Sequence, residues 1–145
     1  MISSLSLKTP LHTMTTKYVS ADPQESAARL SSRARNLAKV YTTLKSLEAC
    51  VAACEVLADE LGPESYTDPL HADINEAIVA CETLMSASVR QSPFSMQYAD
   101  LAVASLNNLI LACEGAPART ALQCSARCSD CVSILRDEFL RTISN

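Results

Sequence analysis

The sequence predicts an all-α protein, an antiparallel up-down-up-down four-helix bundle with a long or broken first helix. Three observations carry that expectation. Apolar residues recur three or four positions apart along four separate stretches, the period of one face of an α-helix. The chain of 145 residues has only two glycines, Gly62 and Gly115, and each closes one of those stretches. The apolar set is mostly Ala, Leu and Val, with no Trp and two Phe, a palette suited to closely packed helices. Short connections between amphipathic helices make neighbours antiparallel.

In chain order, residues 1–21 are rich in Ser and Thr and hold Lys8 and Lys17 but no acidic residue. They read as a flexible leader to a single domain over 22–145. They have no apolar core of a secretory signal. Asp22-Pro23-Gln24-Glu25 then offers a cap, a Pro at the first helical position and a capping box. From there Leu30, Ala34, Leu37, Tyr41, Leu44, Leu47, Val51, Cys54, Ala58 and Leu61 keep the helical period until Gly62-Pro63. Some forty residues at ~1.5 Å each would reach about 60 Å, more than the later helices can cover. A break near residues 31–36, or a first third extending past the bundle, is therefore expected.

Asp68-Pro69 starts the second helix, marked by Leu70, Ile74, Ala77, Ile78, Cys81, Leu84, Met85 and Ser88 to about Gln91. Ser92-Pro93 starts the third, through Phe94, Tyr98, Leu101, Ala102, Leu106, Leu109, Ala112 and Cys113 to Glu114-Gly115. Ala116-Pro117 starts the fourth, expected to continue to about Ile143. Each start places Pro at the first helical position.

Charge excludes little by itself. The first 48 residues carry seven Lys or Arg against three Asp or Glu, within a net charge of −4. Arg29, Arg33, Arg35 and Lys39 have no interleaved aromatics and read as a solvated helix face, so no nucleic-acid partner is expected. No run approaches the roughly 18 apolar residues of a membrane span. A soluble, cytoplasmic protein without a membrane partner is expected, and a homo-oligomer is left open.

The seven cysteines carry the chemistry. Cys124, Cys128 and Cys131 lie four and three residues apart, so their thiols share one helix face with Ala121, Leu135 and Ile143. An odd number cannot all pair within one chain, and two cysteines four apart on a helix are poorly placed to bridge each other. Reduced thiols, or thiolates on a metal, are the better expectation. Cys50 and Cys54 lie twelve and eight residues before Gly62, and Cys81 lies twelve after Pro69. Cys124, Cys128 and Cys131 lie seven, eleven and fourteen after Pro117. In an up-down bundle these six thiols fall in a band about 10 Å tall, with Cys113 nearer one end. Clustered soft thiolates select Cu(I) first, with Zn(II) or an iron–sulfur cluster behind it. Buried cysteine also serves as a small apolar filler, and spacing alone leaves both readings open.

The pattern Ala49-Cys50-Val51-Ala52-Ala53-Cys54, Ala80-Cys81-Glu82, Arg90-Gln91-Ser92-Pro93, Ala112-Cys113-Glu114 and Cys124-x-x-x-Cys128-x-x-Cys131 resembles the cysteine-rich four-helix-bundle copper-storage proteins over about residues 47–139. The resemblance implies a bundle interior lined with Cys that binds Cu(I), with Cys50, Cys54, Cys81, Cys124, Cys128 and Cys131 as ligands and Cys113 as an accessory or entrance ligand. The sequence departs from that family at Leu57, Leu61, Ala77, Ala102, Leu106, Leu109 and Leu135, apolar where such relatives typically carry further Cys. A low-capacity site for copper sequestration or handling is the resulting expectation.

Other donors are weaker. His71 in the first turn of helix two could guard an entrance but reads first as a solvated surface residue, and Met85 and Met96 read first as core filler. Glu55, Glu82 and Glu114 each follow a Cys directly and are expected in solvent. No inward Glu-x-x-His pair or Gly-rich phosphate loop exists, and an enzyme is not the favoured reading. The alternative is a non-metal bundle, an interaction or small-molecule-binding protein or an enzyme, with Cys as packing.

Overall fold

The computed structural model describes residues 23–65, 68–116 and 119–140. Those residues form four α-helices and no strand: α1 (Pro23–Leu61), α2 (Pro69–Val89), α3 (Ser95–Glu114) and α4 (Arg119–Leu135). The fold is an antiparallel four-helix bundle, as the periodicity predicts. A 3₁₀ turn, Pro63–Ser65, follows α1, and a π-helical turn, Arg136–Leu140, follows α4. The expected leader, the Asp22 cap, Pro117 and Ile143 lie outside the described residues. No described helix is long and apolar enough to cross a membrane.

The chain divides into two compact units, residues 1–38 and 39–145. In the first, the described part is the α1 segment from Pro23 to Ala38, exposed along nearly all its length. There Glu25 pairs with Arg29 one turn later at 3.2 Å. Helix α1 runs without a break through residues 31–36. Leu30, Leu37 and Tyr41 keep the helical period yet are about two-thirds exposed, and burial begins only at Thr43. The period gives α1 an apolar side along its whole length, but full burial on that side starts only at Thr43.

In the second unit each helix turns one stripe inward. Helix α1 gives Thr43, Leu47, Cys50, Val51, Cys54 and Leu57. Helix α2 gives His71, Ile74, Ala77, Cys81, Leu84, Ala87 and Ser88. Helix α3 gives Ala99, Ala102, Val103, Leu106, Leu109 and Cys113, and α4 gives Ala121, Cys124, Cys128, Cys131, Val132 and Leu135. Leu101, expected inward, is 61% exposed, because Ala102 and Val103 take the inner positions on its turn.

The helix ends follow local chemistry. Asp68 caps α2 by accepting from the Leu70 amide at 3.0 Å, with Pro69 at the first helical position. At the other end Gln91, φ 54°, takes the left-handed position usually given to glycine. Its amide donates to the Ser88 carbonyl and that of Ser92 to Ala87, which is a Schellman closure. Pro93 is not the first residue of α3. It sits in a turn in which Ser92 Oγ accepts from the Phe94 amide at 3.1 Å and the helix begins at Ser95. Gly62 takes a left-handed φ of 77°, whereas Gly115 stays right-handed. The wider π turn after α4 brings Phe139 and Leu140 partly onto the core, a break from the plain helix expected there.

Candidate metal centre

The site follows from the register of α1 against α4. A step of four along α1, from Cys50 to Cys54, is met by a step of four back along α4, from Cys128 to Cys124. Cys50 Sγ lies 3.5 Å from Cys128 Sγ, and Cys54 Sγ lies 3.8 Å from Cys124 Sγ. Antiparallel helices put i and i+4 residues of one opposite i+4 and i of the other, so the two thiol pairs stack as rungs. The sulfurs of Cys50, Cys54 and Cys128 all lie within 4.8 Å of one another. This buried group can hold a metal ion. Among the described residues it is the one such group, and no fourth ligand shares its mutual distances.

All seven thiols are buried, none more than 1% exposed, and none is in a disulfide. They form a connected set. Cys50 has Cys128, Cys131, Cys54 and Cys81 as hydrogen-bonding neighbours, so sulfurs from α1, α2 and α4 converge on it. Cys113 of α3 reaches the set through Cys124. The structure therefore places the expected Cys81, Cys124 and Cys131 next to members of the three-sulfur group rather than within it, and Cys113 next to Cys124.

The electrostatics divide the thiols. Cys50 is held well below the ordinary thiol range, first by Cys128 and then by Cys131, Cys54 and Cys81, whose S–H groups stabilise its thiolate. Cys124 is lowered in the same way by Cys128 and Cys54. The rest go up: Cys54 through its bond to Cys124, Cys128 through Cys124 and Cys50, and Cys81 and Cys131 through Cys50 and burial. Burial, followed by the charge of Cys124, pushes Cys113 up to about 12. A dry core holds little uncompensated negative charge. A soft cation among the sulfurs reverses that penalty, because thiolate coordination compensates each charge directly.

Hydrocarbon surrounds the thiols. Leu57, Ala77, Ala102, Leu106, Leu109 and Leu135 are all fully buried, and Leu61 is partly so. The other donors sort by exposure. His71 is buried at 7%, not solvated as expected, and its Nδ1 accepts from Asn75 Nδ2 at 3.1 Å. Asn75 lies one turn along the same helix. Met96 is 43% exposed, outside the core where it was expected as filler, and Met85 packs against the core's edge. Glu55, Glu82 and Glu114 lie in solvent.

One polar neighbour escaped the sequence reading. Ser46 hydrogen-bonds the Cys131 thiol and offsets part of its rise, and its place one turn before Cys50 on the thiol stripe was the available signal. Compared with models of known protein families, with curated proteins and with solved structures, the chain matches none.

Proposed function

We propose that this protein binds Cu(I) at low capacity through core thiolates, for copper sequestration or handling. The observation that carries the reading is the mutual closeness of Cys50, Cys54 and Cys128 Sγ, within 4.8 Å, with no fourth ligand among them. A metal–thiolate bond of about 2.3 Å, the zinc value, sets sulfur separations of about 4 Å in a three-coordinate plane. The observed spacing needs little adjustment to reach it. Structural zinc takes four ligands in a tetrahedron, so a three-sulfur group favours the soft monovalent ion. Cys124 and Cys131 supply further sulfurs next to the group, and Cys113 and His71 lie at the end of α3 and the start of α2. Filled hydrocarbon positions keep the number of ions small.

The test is anaerobic titration of fully reduced protein against a competing Cu(I) chelator. Withdrawal of at least one equivalent is the expected result, and failure to withdraw any ends the copper reading. A second reading, thiols as core filler in an interaction or ligand-binding bundle, is favoured by their continuity with buried Leu and Ala. Under it Cys50→Ala/Cys128→Val keeps function and changes only stability.

A further inference from the structure

A groove of about 700 Å³ runs between α1 and α4. Ala52, Ala53 and Val56 form one side, and Gln123, Cys124 and Arg127 the other. Cys124 is the one cysteine in its lining, and behind it Cys54 Sγ lies 3.8 Å away. The Cys124 side chain closes the inner wall and is fully buried there. Reaction at its sulfur therefore requires α1 and α4 to part locally, and the neighbouring alanines Ala52 and Ala53 offer only methyl groups as obstruction. Arg127 gives the groove a cation beside Asp130, a partner for a carboxylate on an incoming molecule.

We infer that this groove admits a small organic disulfide bearing carboxylates, and that Cys124 and Cys54 act on it as a dithiol. Cys124, giving its proton to solvent, attacks one sulfur of the ligand. The ligand's S–S bond breaks, its first half leaves as a thiolate that takes up a proton, and a mixed disulfide remains on Cys124. Cys54 then gives up its proton and attacks the Cys124 sulfur, and the second half of the ligand leaves as a thiol. Two electrons pass from the protein sulfurs to the ligand, leaving a Cys54–Cys124 disulfide and two small thiols. The Cys50–Cys128 pair is closer, at 3.5 Å, yet neither residue lines the groove. Access and distance thus point to different first products.

Oxidation takes Cys54 out of the three-thiol group and lowers its hold on a metal. That consequence rests on the proposed function; the exchange itself does not.

The test uses metal-free, reduced, full-length protein incubated without oxygen with oxidised glutathione, quenched with acid at intervals and mapped by peptide mass. A Cys54–Cys124 link is expected before any Cys50–Cys128 link. The Cys54→Ser variant is expected to accumulate the mixed disulfide on Cys124, and Ala52→Phe, which fills the groove, to slow the reaction about tenfold. A first link at Cys50–Cys128, a first adduct on another cysteine, or no reaction without denaturant overturns the inference. Cu(I) uptake by unoxidised protein, measured in parallel, separates its failure from failure of the copper reading.

Discussion

Ser88 faces the core, and its Oγ has no hydrogen-bond partner among the described residues. A buried hydroxyl left unpaired has lost its water without recompense, and Ser is the poorer helix former beside Ala. Ser88→Ala should therefore raise stability by about 1 kcal/mol, read as a higher urea midpoint at unchanged slope. The thiols give a second residue-scale expectation. Cys113 is raised from 9.0 to about 12, and Cys54, Cys81, Cys128 and Cys131 are raised as well. In the unfolded chain these groups ionise near 9, so between about 9 and 12 the unfolded state binds fewer protons than the folded one. Stability present below the unfolded value is then lost as pH rises through that window. Metal-free protein should show a urea midpoint that falls from pH 8.5 to pH 11; a flat or rising midpoint contradicts the assignment. Cys50 and Cys124 are the main cause of the rise at Cys54, Cys81, Cys128 and Cys131, so replacing both by Ser should leave chiefly burial to raise the rest and make the fall shallower.

Among the elements, the end of α2 offers the clearest prediction. Gln91 holds φ 54° in a Schellman closure, a conformation that costs an L-residue with a Cβ about 1 kcal/mol. Gln91→Gly should recover about that much, seen as a higher melting temperature with unchanged helix content by circular dichroism. Much of the element structure was legible in the sequence: Asp68-Pro69 begins α2, Gly62 ends α1, and the apolar period marks all four helices. Less legible were features that depend on what lies opposite. Leu30, Leu37 and Tyr41 satisfy the same period as Leu47 yet stay exposed, and the period alone does not tell them apart. Thr43 and Ser88 are polar letters on buried stripes. The π turn at Arg136–Leu140, where Phe139 and Leu140 pack partly on the core, leaves no mark in the sequence.

Across the whole molecule, what matters is how four stripes meet. Helical spacing placed six of the cysteines on inward faces in one band, with Cys113 nearer one end, and the structure joins all seven as one connected set. What spacing could not supply was the register of α1 on α4, which picks Cys50, Cys54 and Cys128 out of seven thiols. The hydrocarbon around them is part of the same design. Leu106 and Leu109 are fully buried, and Leu106→Ala should cost about 2–5 kcal/mol through lost contacts and a cavity, measured by urea unfolding of metal-free protein. The same substitution should leave the number of bound ions unchanged, because it removes no ligand.

The most direct test of the account is X-ray absorption on protein loaded anaerobically with one equivalent of Cu(I). The account predicts a shell of three sulfurs without nitrogen, reduced in sulfur count by each of Cys50→Ser, Cys54→Ser and Cys128→Ser. A shell containing imidazole nitrogen, or one that none of these three substitutions alters, would contradict it.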